Sequence, residues 1–134
     1  MKEGRREGGD ELTKRIIGAA MKVHTSLGPG LLESAYEACL CFELQKAGIK
    51  VERQKKLPII YEELRLEEGY RIDILVDGQI VVELKAISKL EPVHEAQLLS
   101  YLRLSNCKLG LLLNFHVAHM RDGIRRVINS RQKM

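Results

Sequence analysis

The chain has 134 residues, 45% of them hydrophobic, a size and make-up that suit one compact domain needing no covalent staples. Its 22 basic and 18 acidic residues leave a net charge of +4, a mild excess that is only weak support for a nucleic-acid partner. No apolar run approaches the roughly 20 residues of a membrane helix, so no membrane partner is expected. Met1–Asp10 is charged and glycine-rich rather than an apolar leader. The expectation is an intracellular, cytoplasmic protein with a loose tail over 1–10, a domain over 11–129 and a short tail over 130–134. Cys39, Cys41 and Cys107 are odd in number and lack framework or zinc spacing, so they read as free thiols.

In chain order, Ile16, Ala20, Val23 and Leu27 recur at helical spacing, and Gly28-Pro29-Gly30 ends a first helix over about 11–27. A second helix is expected over about 31–47, with Ala35, Cys39 and Phe42 as its apolar face and Gly48 closing it. The period then changes. Strands are expected at Leu57–Tyr61, at Tyr70–Val76 and at Ile80–Ile87, with Leu64–Leu66 extending the first or following it. Asp77-Gly78 marks a tight hairpin between the last two. Pro92 opens a third helix to about Ser105. Lys108–Asn114 is nearly all apolar, as a central strand covered on both faces would be. Val117–Asn129 reads as a short strand or turn, its pattern broken by Gly123. The order implies an α/β or α+β domain with a single mixed β-sheet flanked by helices.

Three polar groups interrupt this apolar pattern. Asp73 stands between Ile72 and Ile74, and Glu83 and Lys85 alternate with Val82, Leu84 and Ala86. Residues two apart in a strand share a face, so Glu83 and Lys85 point the same way. A two-residue turn at Asp77-Gly78 would set Asp73 opposite Val82, on the other face from Glu83. A three-residue loop over Val76-Asp77-Gly78 would set Asp73 opposite Val81, with Glu83 its diagonal neighbour on one face. Both registers are open, and the chemistry favours the second. Converging carboxylates make a hard-oxygen site for Mg²⁺ or Mn²⁺, and Lys85 beside them could handle water or phosphate; a plain cross-strand ion pair competes with that reading. Gly30-x-x-Glu33-x-x-Tyr36 places Glu33 and Tyr36 on one helix face, where Glu33 could add a carboxylate or only favour a helix start. Gln97 and Tyr101 stand one turn apart on the third helix. His24 is a candidate metal or phosphate contact, although a lone histidine is more often structural.

At these residues the chain resembles a known family. The run from Val23-His24 through Gly28-Pro29-Gly30-Leu31-Leu32-Glu33-Ser34-Ala35-Tyr36-Glu37 is similar to the signature of the GxxExxY protein family, grouped with the PD-(D/E)XK nuclease-like superfamily. Arg71-Ile72-Asp73, Glu83-Leu84-Lys85-Ala86, His94-x-x-Gln97-x-x-x-Tyr101-Leu102 and Gly110-Leu111-Leu112-Leu113-Asn114-Phe115 match in the same order, so the resemblance spans about 12–129. It implies a restriction-endonuclease-like core. Asp73, Glu83 and Glu33 would bind Mg²⁺ or Mn²⁺, Lys85 would handle the water, and Gln97 and Tyr101 would form an element like the QxxxY of RecB-like nucleases. His24 and Tyr36 would be accessory. The activity implied is phosphodiester hydrolysis in DNA or RNA, with a homodimer expected because so small a chain needs a second copy to grip a duplex. The competing reading is a non-catalytic nucleic-acid-binding or assembly module that keeps the fold.

Overall fold

The computed structural model describes residues 4–130, with side chains from Asp10 onward. The chain runs α1 (Gly4–Leu27), α2 (Glu33–Lys46), β1 (Val51–Tyr61), β2 (Leu64–Val76), β3 (Ile80–Lys85), α3 (Pro92–Ser105), β4 (Leu109–Asn114), a short 3₁₀ turn (Met120–Gly123) and β5 (Ile124–Ile128). The expected N-terminal tail is helical where it is described, because α1 begins at Gly4; residues 1–3 and 131–134 lie outside the described residues.

The strands form one mixed sheet in the order β1-β2-β3-β4-β5. Every neighbouring pair is antiparallel except β3 and β4, which are parallel and joined by α3 as a crossover. This is the α+β architecture that the order of elements implies. Two apolar layers hold it together. On one face Ile16, Ala20 and Val23 of α1 and Tyr36, Leu40 and Leu44 of α2 pack on Ile74, Val76, Val82, Leu84, Leu111 and Leu113. On the other, Leu98 and Leu102 of α3 cover Leu75, Val81 and Leu112. β4 is therefore buried from both sides, as its composition requires.

The apolar face of α2 differs from the expected one. Phe42 is 60% exposed, while the line Tyr36, Leu40 and Leu44, at i, i+4 and i+8, faces the sheet. Two competing apolar stripes run along this helix, and the longer-reaching one wins the core. Leu27 is likewise half exposed, because the helix ends there and turns away.

Candidate active site

The β2–β3 hairpin sets the site, and its register is neither of the two expected. Val76 pairs with Ile80, Leu75 with Val81 and Ile74 with Val82, so the loop is Asp77-Gly78-Gln79. Val76 is fully buried and β-branched, so it stays in the strand, paired with Ile80, rather than entering the loop. The left-handed residues are instead Asp77 (φ 54°) and Gly78 (φ 66°), types that tolerate it. Continued by one step, this register sets Asp73 directly opposite Glu83 on the same face.

At that step the regular ladder stops, and carboxylates replace it. The Asp73 N–H donates to Glu83 Oε2 at 3.0 Å, and the Leu84 N–H donates to Asp73 Oδ2 at 2.9 Å. Each acid thus spends one oxygen on the other strand's backbone and keeps the second for the cleft. Glu83 is buried, 5% exposed. Burial, and then the charge of Asp73, push its carboxyl up to about 8. Lys85, half-buried at the end of β3, acts in the opposite sense on Glu83. Among the described residues no ion pair joins Lys85 to either carboxylate, so the cross-strand ion pair that competed with a catalytic role is not formed.

A cleft of about 370 Å³ opens over this pair, and Glu33, Asp73, Glu83, Lys85, Gln97 and Tyr101 all line it. Glu33 reaches it as the first residue of α2, and α3 contributes Gln97 and Tyr101 from successive turns. The Tyr101 ring lies 5.0 Å from that of Tyr70, which fixes one wall. Among the described residues no three His, Cys, Asp or Glu side chains stand close enough to hold a metal ion together. Glu33 therefore shares the cleft without joining Asp73 and Glu83 in one ligand cluster. The donor set of that pair, hard carboxylate oxygens with one on each not bound by the neighbouring strand's backbone, fits a divalent cation such as Mg²⁺ or Mn²⁺.

Two expected accessory residues lie elsewhere. The Tyr36 hydroxyl donates to the Gly28 carbonyl and accepts from the Leu31 N–H, and its ring stacks on Phe115 at 4.5 Å. It ties down the Gly28–Leu31 loop from inside the core. His24 Nε2 sits 2.7 Å from the Val117 carbonyl and pins the segment after β4 to α1. Neither lines the acidic cleft.

A model of the PD-(D/E)XK nuclease superfamily matches residues 10–127. The chain belongs to that superfamily. The matched span holds every element from the end of the first helical turns to β5, and with it the whole PD-(D/E)XK cleft described above. Comparison with curated proteins and with solved structures finds no match.

Several residues of the site escaped the sequence reading. Lys56, Glu68, Tyr70 and Arg71 also line the cleft. Glu37, buried at 6% exposure, accepts from Arg53 Nε at 3.0 Å and from Gln54 Nε2 at 2.7 Å, and Gln54 Nε2 also lies 3.5 Å from Asp73 Oδ1. Gln54 adopts φ 51°, left-handed for a non-glycine residue, and opposite Asp73 it drops out of the β1–β2 ladder. Glu37 carried a signal, since it stands one turn beyond Glu33 on the same helix face. Gln54 carried none, because its role depends on a backbone conformation that glutamine rarely takes. Asn114 locks the far side: its amide spans the Ile87 backbone, donating to the carbonyl at 2.9 Å and accepting from the N–H at 3.1 Å.

Proposed function

We propose that the protein is a Mg²⁺- or Mn²⁺-dependent nuclease that hydrolyses phosphodiester bonds. The observation that carries this reading is the Asp73–Glu83 pair. Two carboxylates face each other where β2 and β3 part, anchored by each other's backbone, with Lys85 on the same strand face and free of an ion pair among the described residues. Membership of a nuclease superfamily makes the reading coherent.

Asp73 and Glu83 would hold the ion through the oxygens not bound by the other strand's backbone, with the Leu84 carbonyl as a further ligand. A bound divalent ion supplies Lewis-acid stabilisation of phosphate charge and lowers the pKa of water. The chain's own residues do the remaining work. Lys85 holds the attacking water beside the phosphate and offsets its negative charge. Gln97 donates from α3 to the same water or to a phosphate oxygen. Tyr101, backed by the buried Tyr70, offers a ring to the sugar or base. Glu33 faces the pair across the cleft and orders solvent there.

Incubation of the full chain with labelled single- and double-stranded DNA and RNA, in Mg²⁺, Mn²⁺ or EDTA, tests this. Metal-dependent cleavage of at least one substrate is expected. Binding without cleavage in any metal would favour a module that keeps the fold and lacks the activity.

A further inference from the structure

A second and larger cleft, about 570 Å³, lies on the α1 side of the same sheet end. His24 and Thr25 from the last turn of α1, Gly28 and Pro29, and the segment 118–121 form its walls. It lies a short distance along the chain from the acidic site. β3 and β4 are parallel, so their last residues, Lys85 and Asn114, are paired at one edge of the sheet. The Phe115 N–H donates to the Lys85 carbonyl at 2.9 Å. Two residues later the Val117 carbonyl meets His24 at 2.7 Å. Two residues of chain span at most about 7 Å, so the rim of the second cleft lies close to the Lys85 backbone, around the sheet end from the face that carries the Lys85 side chain.

The two clefts differ in charge. Glu33, Glu68, Asp73 and Glu83 line the first together with Lys56, Arg71 and Lys85, whereas no acidic residue lines the second. Arg121 and His119 are exposed in the second, and neither side chain has a hydrogen bond or ion pair among the described residues. Thr25 adds a hydroxyl, and Met21 and Met120 supply apolar wall. Cation, neutral donors and apolar wall suit a sugar-phosphate strand.

We propose that this cleft is a phosphate-backbone site for a single nucleic-acid strand, with Arg121 and His119 contacting phosphates a few nucleotides from the bond held at Lys85. The inference rests on the nuclease reading for its choice of occupant. His24, expected as a direct contact, acts here as the pin that holds Val117 and the following segment in place.

The test is binding of a fluorescent single-stranded 20-mer to the full chain by anisotropy, in EDTA, across a salt series. Removing one phosphate contact should weaken binding about tenfold near 0.1 M salt and reduce the salt slope by about one. Arg121→Ala should show this loss, and Arg121→Glu a larger one. Lys108→Glu, an exposed position at the opposite end of β4, should bind within about twofold of wild type. Unchanged affinity and slope in both Arg121 variants, equal losses in Lys108→Glu, or no binding by the wild type would each overturn the proposal. Cleavage is scored separately in Mn²⁺. A wild type that binds through Arg121 but cuts nothing refutes the nuclease reading and leaves this site standing.

Discussion

Glu83 is buried beside a second carboxylate, and both effects favour its protonated form. Its pKa in the folded protein is pushed up to about 8 from the ordinary 4.5 of a glutamate. The sign follows: the stability this group contributes is full below the unfolded value and is lost as pH rises toward about 8. The metal-free protein should therefore melt at a lower temperature at pH 8 than at pH 5.5, and Glu83→Gln should flatten that slope. A metal must displace the same proton, so Mn²⁺ affinity should rise across this window. Melting curves and titrations at the two pH values check both; parallel slopes in variant and wild type would contradict them. Gln54 is a positioning residue in this account, a neutral amide held by Glu37 and reaching toward Asp73. Gln54→Gly relieves the left-handed backbone while adding chain freedom, so stability should change by less than about 1 kcal/mol. Mn²⁺ affinity should still fall by about tenfold, the scale of losing an orienting partner. Equal affinity in variant and wild type would make Gln54 a turn residue only.

At the scale of elements, the sequence was most legible where periodicity and chain punctuation agreed. α3 begins at Pro92 and ends at Ser105 as expected, and β4 is the doubly covered strand that its composition describes. The hairpin register was legible only in part. The sequence permitted Asp73 and Glu83 to share a face, but which three residues made the loop depended on Val76 staying buried and Asp77 turning left-handed. β1 is longer than expected because the mostly polar stretch 51–56 pairs with β2 without an apolar alternation to announce it, and β2 is longer because 67–69, unpaired with β1, bridge its two paired stretches as a bulge. Ile72 and Ile74 mark a further surprise: two residues apart in one strand, they join opposite cores. The sheet is wrenched at Asp73, opposite left-handed Gln54, and no pattern of residue types encodes that. Gly123, which broke the expected pattern near the C terminus, does so for a reason of packing. A Cβ there would collide with the Asn114 carbonyl oxygen. Gly123→Ala should destabilise by about 1–3 kcal/mol, read as a lowered urea midpoint. It should also loosen the Asn114–Ile87 clamp beside Lys85. An unchanged midpoint would mean that the turn before β5 yields freely.

For the whole molecule, the sheet divides the work between its two faces. α1 and α2 supply most of the core and deliver Glu33 and Glu37 to the sheet, while α3 closes the other face and brings Gln97 and Tyr101 to the cleft. Beyond the three residue pairs that β2 shares with β3, the β1–β2 ribbon extends outward with Ile60, Tyr61, Leu64 and Leu66 exposed. The central claim is that Asp73 and Glu83 hold a divalent ion that Lys85 serves without binding. Calorimetric titration with Mn²⁺ of wild type, Asp73→Asn and Lys85→Ala tests it most directly. One site is expected in the wild type, near loss of binding in Asp73→Asn because a neutral amide is a poor ligand for a hard cation, and undiminished affinity in Lys85→Ala. Equal binding by wild type and Asp73→Asn, or no binding by the wild type at pH 8, would contradict it.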